Sequence, residues 1–125
     1  MPVLGLGTDI VEINRVEEAV AKSDRLAQRV LTEMEFERFK SHGQPGRFLA
    51  KRWAAKEAAA KALGLGIGRG ISFHHFEIHN DEYGAPHLTL SGKAKTLATE
   101  KGIATSLVSI SDEQNMAMAT VVMSD

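Results

Sequence analysis

The sequence predicts an α+β fold: one domain over residues 1–125, with a long central helix packed on a mainly antiparallel sheet. Three observations carry that expectation. Strand-like and helix-like segments are mixed without a regular βαβα alternation, which argues against a parallel doubly wound sheet. The stretch Arg47–Leu63 is dominated by Ala, Lys, Glu and Leu, the strongest helix formers. The chain closes on two apolar segments, Ile103–Ser111 and Met116–Met123, around the polar Asp112-Glu113-Gln114-Asn115, the pattern of a β-hairpin.

Val3–Ile13 combines apolar and β-branched residues with enough alternation for a strand. Asn14 then reads as a helix cap with Glu17 three residues on. That helix runs towards Arg29, with Ser23-Asp24 as its point of interruption. Thr32 and Glu35 repeat the capping pattern and open a short helix ended by His42-Gly43. The long Arg47–Leu63 helix stops at Gly64, suited to the left-handed C′ position, and Gly66, Gly68 and Gly70 form a loop. Phe73–His79 and His87–Leu90 read as strands around the turn-rich segment Asn80–Pro86. Ser91–Lys101 reads as a helix ended by Gly102, and the terminal hairpin follows.

Composition removes several classes of function. Lys plus Arg number 15 and Asp plus Glu 16, a net charge of −1. Such a chain has no overall pull towards nucleic acid or an anionic membrane. The absence of cysteine excludes disulfides, thiolate nucleophiles, iron–sulfur clusters and thiolate zinc sites. No signal peptide is visible and no apolar run approaches the ~18 residues of a membrane span. A soluble cytoplasmic protein is expected, with neither nucleic acid nor membrane as partner. Gly5 and Gly7, and the glycines at 64, 66, 68 and 70, lack the spacing of a dinucleotide fingerprint or a P-loop. No Gly-x-Ser-x-Gly elbow is present. In a strand, His75 and His79 share a face and His74 opposes them; without an HExxH pattern all three read as surface histidines.

Two carboxylates stand out. Asp9 lies among apolar neighbours in a strand, where Asp is depleted. It shares a face with Gly5 and Gly7, a face open to close approach by another backbone or a ligand. A carboxylate there needs a cation or hydrogen bonds, and a Lys or Arg partner is the simplest answer. Glu57 lies at the edge of the helical face formed by Leu49, Trp53, Ala60 and Leu63, at about 100° per residue. Taken on that helix alone, Glu57 and Lys61 form an ordinary i,i+4 surface pair and Lys56 extends its amine outward. Taken together, Asp9 and Glu57, with Arg47, Lys51, Arg52, Lys56 and Lys61 nearby in sequence, suit Mg²⁺ bound with a polyphosphate. Mg²⁺ takes one or two protein carboxylates and completes its shell with water and substrate phosphates, and the basic groups neutralise the remaining charge. Arg15, Lys22, Arg25 and Arg29 fall within about 80° on a continuous helical wheel. Such a stripe is either a solvated face or a dock for an acidic partner.

The segment Gly5-Leu6-Gly7-Thr8-Asp9-Ile10-Val11-Glu12-Ile13, followed by Arg47-Phe48-Leu49-Ala50-Lys51-Arg52-Trp53-Ala54-Ala55-Lys56-Glu57-Ala58 and Lys61-Ala62-Leu63-Gly64, resembles the holo-[acyl-carrier-protein] synthase family. These are the small bacterial 4′-phosphopantetheinyl transferases, and the resemblance covers essentially the whole chain. It implies transfer of the phosphopantetheine arm of coenzyme A to a serine of apo-acyl carrier protein, leaving adenosine 3′,5′-bisphosphate, in support of fatty acid biosynthesis. It implies Asp9 and Glu57 as Mg²⁺ ligands and, with Lys61, as the catalytic set. Arg47, Lys61, Gly64, Gly66, Gly84, Pro86 and Ser111 are implied to bind coenzyme A, and Arg15, Lys22, Arg25 and Arg29 to dock the carrier protein. A homotrimer with active sites between subunits is implied too. Some relatives carry a histidine where this chain reads Ile110-Ser111-Asp112-Glu113, so Asp112, Glu57 and a metal-bound water are the alternatives for taking the serine proton, the water ranking first. Two further readings are a noncatalytic coenzyme A- or carrier-binding module and a Mg²⁺-dependent nucleotide hydrolase.

Overall fold

The computed structural model describes residues 2–125; Met1 lies outside the described residues. Strand β1 (Val3–Glu12) leads into helices α1 (Ile13–Lys22), α2 (Arg25–Val30) and α3 (Glu33–Ser41), then the long α4 (Pro45–Ala62). A hairpin of β2 (Phe76–Asn80) and β3 (Pro86–Leu90), helix α5 (Gly92–Glu100), and strands β4 (Thr105–Asp112) and β5 (Met116–Ser124) complete the α+β chain. The sheet β1-β5-β4 is antiparallel throughout, with the C-terminal strand at its centre.

α4 lies against this sheet, and small residues determine how closely. A Cβ at Gly5 would land on the Ala62 carbonyl oxygen, and one at Gly7 on that of Ala58. The face of β1 read as open to close approach is therefore covered by the α4 backbone. On the helix side Ala54, Ala55, Ala58, Ala59 and Ala62 pack with Ala119, Val121 and Met123 of β5 in one core. A second core beneath α1–α3 joins Ile13, Val16, Val30 and Phe39 to Leu49 and Ala50 of α4. α4 is thus buried around most of its circumference, beyond the single face its periodicity suggests.

The strongest local signals hold. Thr32 and Glu35 form the expected capping box of α3. Gly64 ends α4 at φ +91°, its amide donating to the Lys61 carbonyl at 2.9 Å. Three local readings are corrected. Asn14 does not cap α1, which starts at Ile13. Instead the hairpin turn supplies the acceptors: the Asn14 amide donates to Asn115 Oδ1 at 2.9 Å and the Ile13 amide to the Asn115 carbonyl at 2.8 Å. The strand expected from Phe73 begins at Phe76, because Ser72 caps a 3₁₀ turn over Phe73–His75. His75 therefore shares no strand face with His79; its Nδ1 accepts from the Ser72 amide at 3.1 Å. Finally, Ser23 and Asp24 break the first helix, so the basic residues do not form one continuous stripe. Arg15 and Lys22 lie on α1 and Arg25 and Arg29 on α2, all exposed.

Candidate active site

Asp9 and Glu57, far apart in sequence, line one cavity with Val11, Arg15, Trp53 and Met116. β1 supplies Asp9 on the face that also carries the two glycines, and the close glycine-mediated approach of α4 presents Glu57 opposite it. Burial, and next the Asp9 carboxylate, push the Glu57 pKa up; Trp53, Lys61 and Arg29 oppose the rise. Two carboxylates that repel across a half-buried cleft need a cation.

Lys61 supplies part of that charge. Its Nζ donates to Asp9 Oδ1 at 2.9 Å and to the Thr8 carbonyl at 3.1 Å. The partner of Lys61 is therefore Asp9 across the β1–α4 interface, and the expected Glu57–Lys61 surface pair is replaced. The simplest sequence reading of Asp9, a lysine-paired aspartate, is met as well. Asp9, Glu12 and Glu57 line the cavity against Arg15, with Lys61 on Asp9, so carboxylates still outnumber cations and the cleft keeps a net demand for positive charge.

Lys56 is also corrected. It does not extend outward and it cannot meet a phosphate: it is fully buried, with Nζ 2.5 Å from Glu35 Oε1 and 2.7 Å from the Val30 carbonyl. The same Glu35 accepts from the amides of Thr32 and Ile78 at 2.9 and 2.8 Å, and Arg52 Nε stands 3.6 Å from its Oε2. Burial lowers the Lys56 pKa while Glu35 raises it. Helical spacing separates the two sets: Arg52 and Lys56 form one i,i+4 row, and Trp53, Glu57 and Lys61 the next.

A second cleft gathers Arg47, Lys51 and Arg52 of α4 with Arg38, Asn80, Gly84 and Pro86. Arg52 Nη2 donates to Asn80 Oδ1 at 3.2 Å, and Asn80 Nδ2 donates to the Gly84 carbonyl at 2.9 Å, tying the β2–β3 turn to α4. Arg47 is partly engaged elsewhere. It donates to Asp112 Oδ2 at 2.8 Å and to the carbonyls of Glu113 and Gln114 at 2.7 and 2.9 Å. That contact with Arg47 holds the Asp112 carboxyl below its ordinary pKa. Of the two carboxylates considered for taking a proton, Asp112 is therefore the weaker base and Glu57 the stronger.

Of the remaining sequence candidates, Gly64, Gly66 and Ser111 line neither cleft, and neither do Lys22, Arg25 and Arg29. The Arg29 guanidinium lies over the Phe73 ring, 5.6 Å from its centroid. Arg38, Asn80 and the Glu35–Lys56 pair were not predicted from sequence. Only the cation placed within the apolar span of α4 hinted at the last of these.

The donor set fits a small hard cation. It consists of carboxylate oxygens, which suit Mg²⁺. Among the described residues no group of three or more His, Cys, Asp or Glu is arranged to hold a metal. The two carboxylates would then leave most of the coordination shell to water and ligand oxygens.

The chain is similar to known proteins over nearly its whole length. The 4′-phosphopantetheinyl transferase superfamily model matches residues 5–121. The holo-[acyl-carrier-protein] synthase of Aliivibrio fischeri (strain MJ11) is 56% identical over 123 residues, 98% of each chain. The crystal structure of holo-[acyl-carrier-protein] synthase from Neisseria meningitidis matches with a TM-score of 0.91 at 38% identity, covering 99% of this chain and 100% of that one. The synthase from Bacillus anthracis str. Ames, in complex with CoA (3′,5′-ADP), matches with a TM-score of 0.80 at 36% identity, covering 97% and 96%. The glycine-backed aspartate of β1, the Lys-Glu of α4 and most of the terminal hairpin fall within residues 5–121 of the superfamily match: the chain belongs to the 4′-phosphopantetheinyl transferase superfamily.

Proposed function

We propose that the chain transfers the 4′-phosphopantetheine group of coenzyme A to a serine of apo-acyl carrier protein, with Asp9 and Glu57 holding Mg²⁺. The serine oxygen forms a bond to the phosphorus that carries the pantetheine arm. The bond from that phosphorus to the pyrophosphate's bridging oxygen breaks, adenosine 3′,5′-bisphosphate leaves, and the hydroxyl proton is lost. One observation carries the site assignment: Asp9 and Glu57 share a cavity in which burial and the Asp9 carboxylate disfavour a charged Glu57.

Mg²⁺, when bound, neutralises pyrophosphate charge. Asp9 and Glu57 would hold that ion from β1 and α4, and the Lys61 ammonium, anchored on Asp9, stands ready for a phosphate oxygen. Arg47, Arg52, Gly84 and Pro86 form the cleft for the nucleotide end of coenzyme A, where cationic side chains favour phosphate. Gly64, Gly66 and Ser111 belong to this reading on resemblance alone. Arg15 sits at the rim of the carboxylate cavity and Lys22, Arg25 and Arg29 flank it on α1 and α2, a broken but still basic surface for an acidic carrier protein.

The face of the sheet turned away from α4 supports a homotrimer. Leu6 is 67% exposed, Ile10 61% and Leu107 63%. Leu6 and Leu107 flank Val122 in register, and Ile10 pairs with Met118. These exposed apolar rows, separated by Thr8, Thr120 and Ser109, are suited to burial against another copy, and a cyclic assembly supplies that cover. Sedimentation at the mass of one chain would overturn the trimer.

The deciding experiment mixes the protein with apo-acyl carrier protein, coenzyme A and Mg²⁺ and weighs the carrier by mass spectrometry. The carrier gains the phosphopantetheine arm only when all components are present. Coenzyme A binding without labelling would instead favour a noncatalytic module, and nucleotide release without carrier a hydrolase. No helix among the described residues is long and apolar enough to cross a membrane; a cytoplasmic location is proposed with the function.

A further inference from the structure

Trp53 is the only tryptophan in the chain. It stands one helical turn before Glu57 on α4, and both line the cavity that holds Asp9. Its indole Nε1 is buried and has no hydrogen-bond partner among the described residues. An indole N–H can only donate, and a buried donor left unpaired is destabilising. A phenyl ring at this position would fill the same apolar space without that cost, so the N–H calls for an acceptor. The acceptor chemistry in its row is the Glu57 carboxylate, the next side chain along the helix. The indole also acts on Glu57, lowering a pKa that burial and Asp9 raise.

We propose that Trp53 is a positioning residue whose Nε1–H closes onto one Glu57 oxygen when a divalent cation binds, turning the carboxylate so that its other oxygen meets the ion. This rests on the reading that Asp9 and Glu57 share that ion. The geometry resembles the outer hydrogen bonds that orient metal-binding side chains, whose loss typically weakens metal binding by about 10–100-fold. It differs in that, before the ion arrives, the indole is near enough to act on Glu57 but falls short of full hydrogen-bond geometry. Metal binding and hydrogen bonding are then coupled.

Because the chain has one tryptophan, a single indole ¹⁵N–¹H resonance reports on this bond in the unaltered protein. Titrating the protein and coenzyme A with Mg²⁺ is expected to move that proton downfield, saturating with the ion. A resonance that stays in place while the ion binds would overturn the proposal. Trp53→Phe keeps the ring and removes the donor. Its Mn²⁺ affinity, read by calorimetry in the presence of coenzyme A, is expected to fall about tenfold, with the KM for carrier protein unchanged. Unaltered Mn²⁺ affinity in Trp53→Phe, with binding lost in Asp9→Asn and Glu57→Gln, would remove Trp53 alone. Unaltered affinity in Asp9→Asn and Glu57→Gln as well would remove the metal site itself.

Discussion

Two rows of side chains on α4 carry opposite lessons. The Arg52–Lys56 row turns into the protein, where Glu35 answers it with a carboxylate that also accepts two backbone amides. The Trp53–Glu57–Lys61 row turns to the β1 cleft, where charge is left incompletely answered: two carboxylates, one ammonium and an orphaned indole N–H. The first arrangement binds α2, α3, β2 and α4 together and offers a ligand only the outer end of Arg52, which lines the second cleft. The second lowers the stability of the empty protein and makes a place for a cation. Adjacent residues Lys56 and Glu57 therefore do different work because a helix rotates them apart by about 100°.

The comparison is broken most severely at Lys56. Lys56→Met leaves the buried Glu35 charge with Arg52 at 3.6 Å as its remaining countercharge, and should cost about 3 kcal/mol of stability, measured by urea unfolding. The double variant Glu35→Met with Lys56→Met should recover little of that loss, since it leaves the buried Arg52 without its countercharge and the Thr32 and Ile78 amides without their acceptor. Glu57→Gln should do the reverse. It removes a charge that burial and Asp9 disfavour, so the metal-free melting temperature should hold or rise. Transfer activity should meanwhile drop about 100- to 1,000-fold, near 3–4 kcal/mol of transition-state stabilisation. Lost stability together with retained activity would reverse the assignment of the two rows.

Smaller effects sharpen the picture at the rim. Arg15→Glu should raise the KM for an acidic carrier protein by about tenfold at low salt, close to 1.4 kcal/mol, and leave coenzyme A binding unaltered; added salt should narrow the difference. Asp112→Asn, which frees Arg47, should cost less than about 1 kcal/mol because the pair is solvent-exposed. Its sign with pH is set by the lowered Asp112 pKa. The stabilisation is present above the ordinary carboxylate range and disappears as pH falls through the depressed folded value. Unfolding at pH 7 and in acid would check both halves of that statement.

The elements were legible where a local rule governs them. The Thr32–Glu35 capping box, the Gly64 stop of α4 and the terminal hairpin each depend on residues close in sequence. Readings failed where a distant group intervened. Asn115 replaced Asn14 at the start of α1, Asp9 took Lys61 from Glu57, and Glu35 drew Lys56 inward. In the candidate site, Asp9 was visible as a misplaced charge and Glu57 only in combination with it, whereas the Asn80 bridge to Arg52 and the unpaired Trp53 N–H depend on packing that no periodicity encodes.

By itself the sequence determined the α+β class, the long alanine-rich helix, and the aspartate that an apolar setting makes conspicuous, with Glu57 suggested only in combination with it. Only the tertiary structure decided which cation each carboxylate meets and which is left wanting one. The reason is physical: backbone hydrogen bonding and turn conformation act over a few residues, but the electrostatic demand of a side chain depends on every charge brought near it by folding. Here two glycines in β1 set that proximity, by letting the α4 backbone come close enough for Glu57 to share a cleft with Asp9.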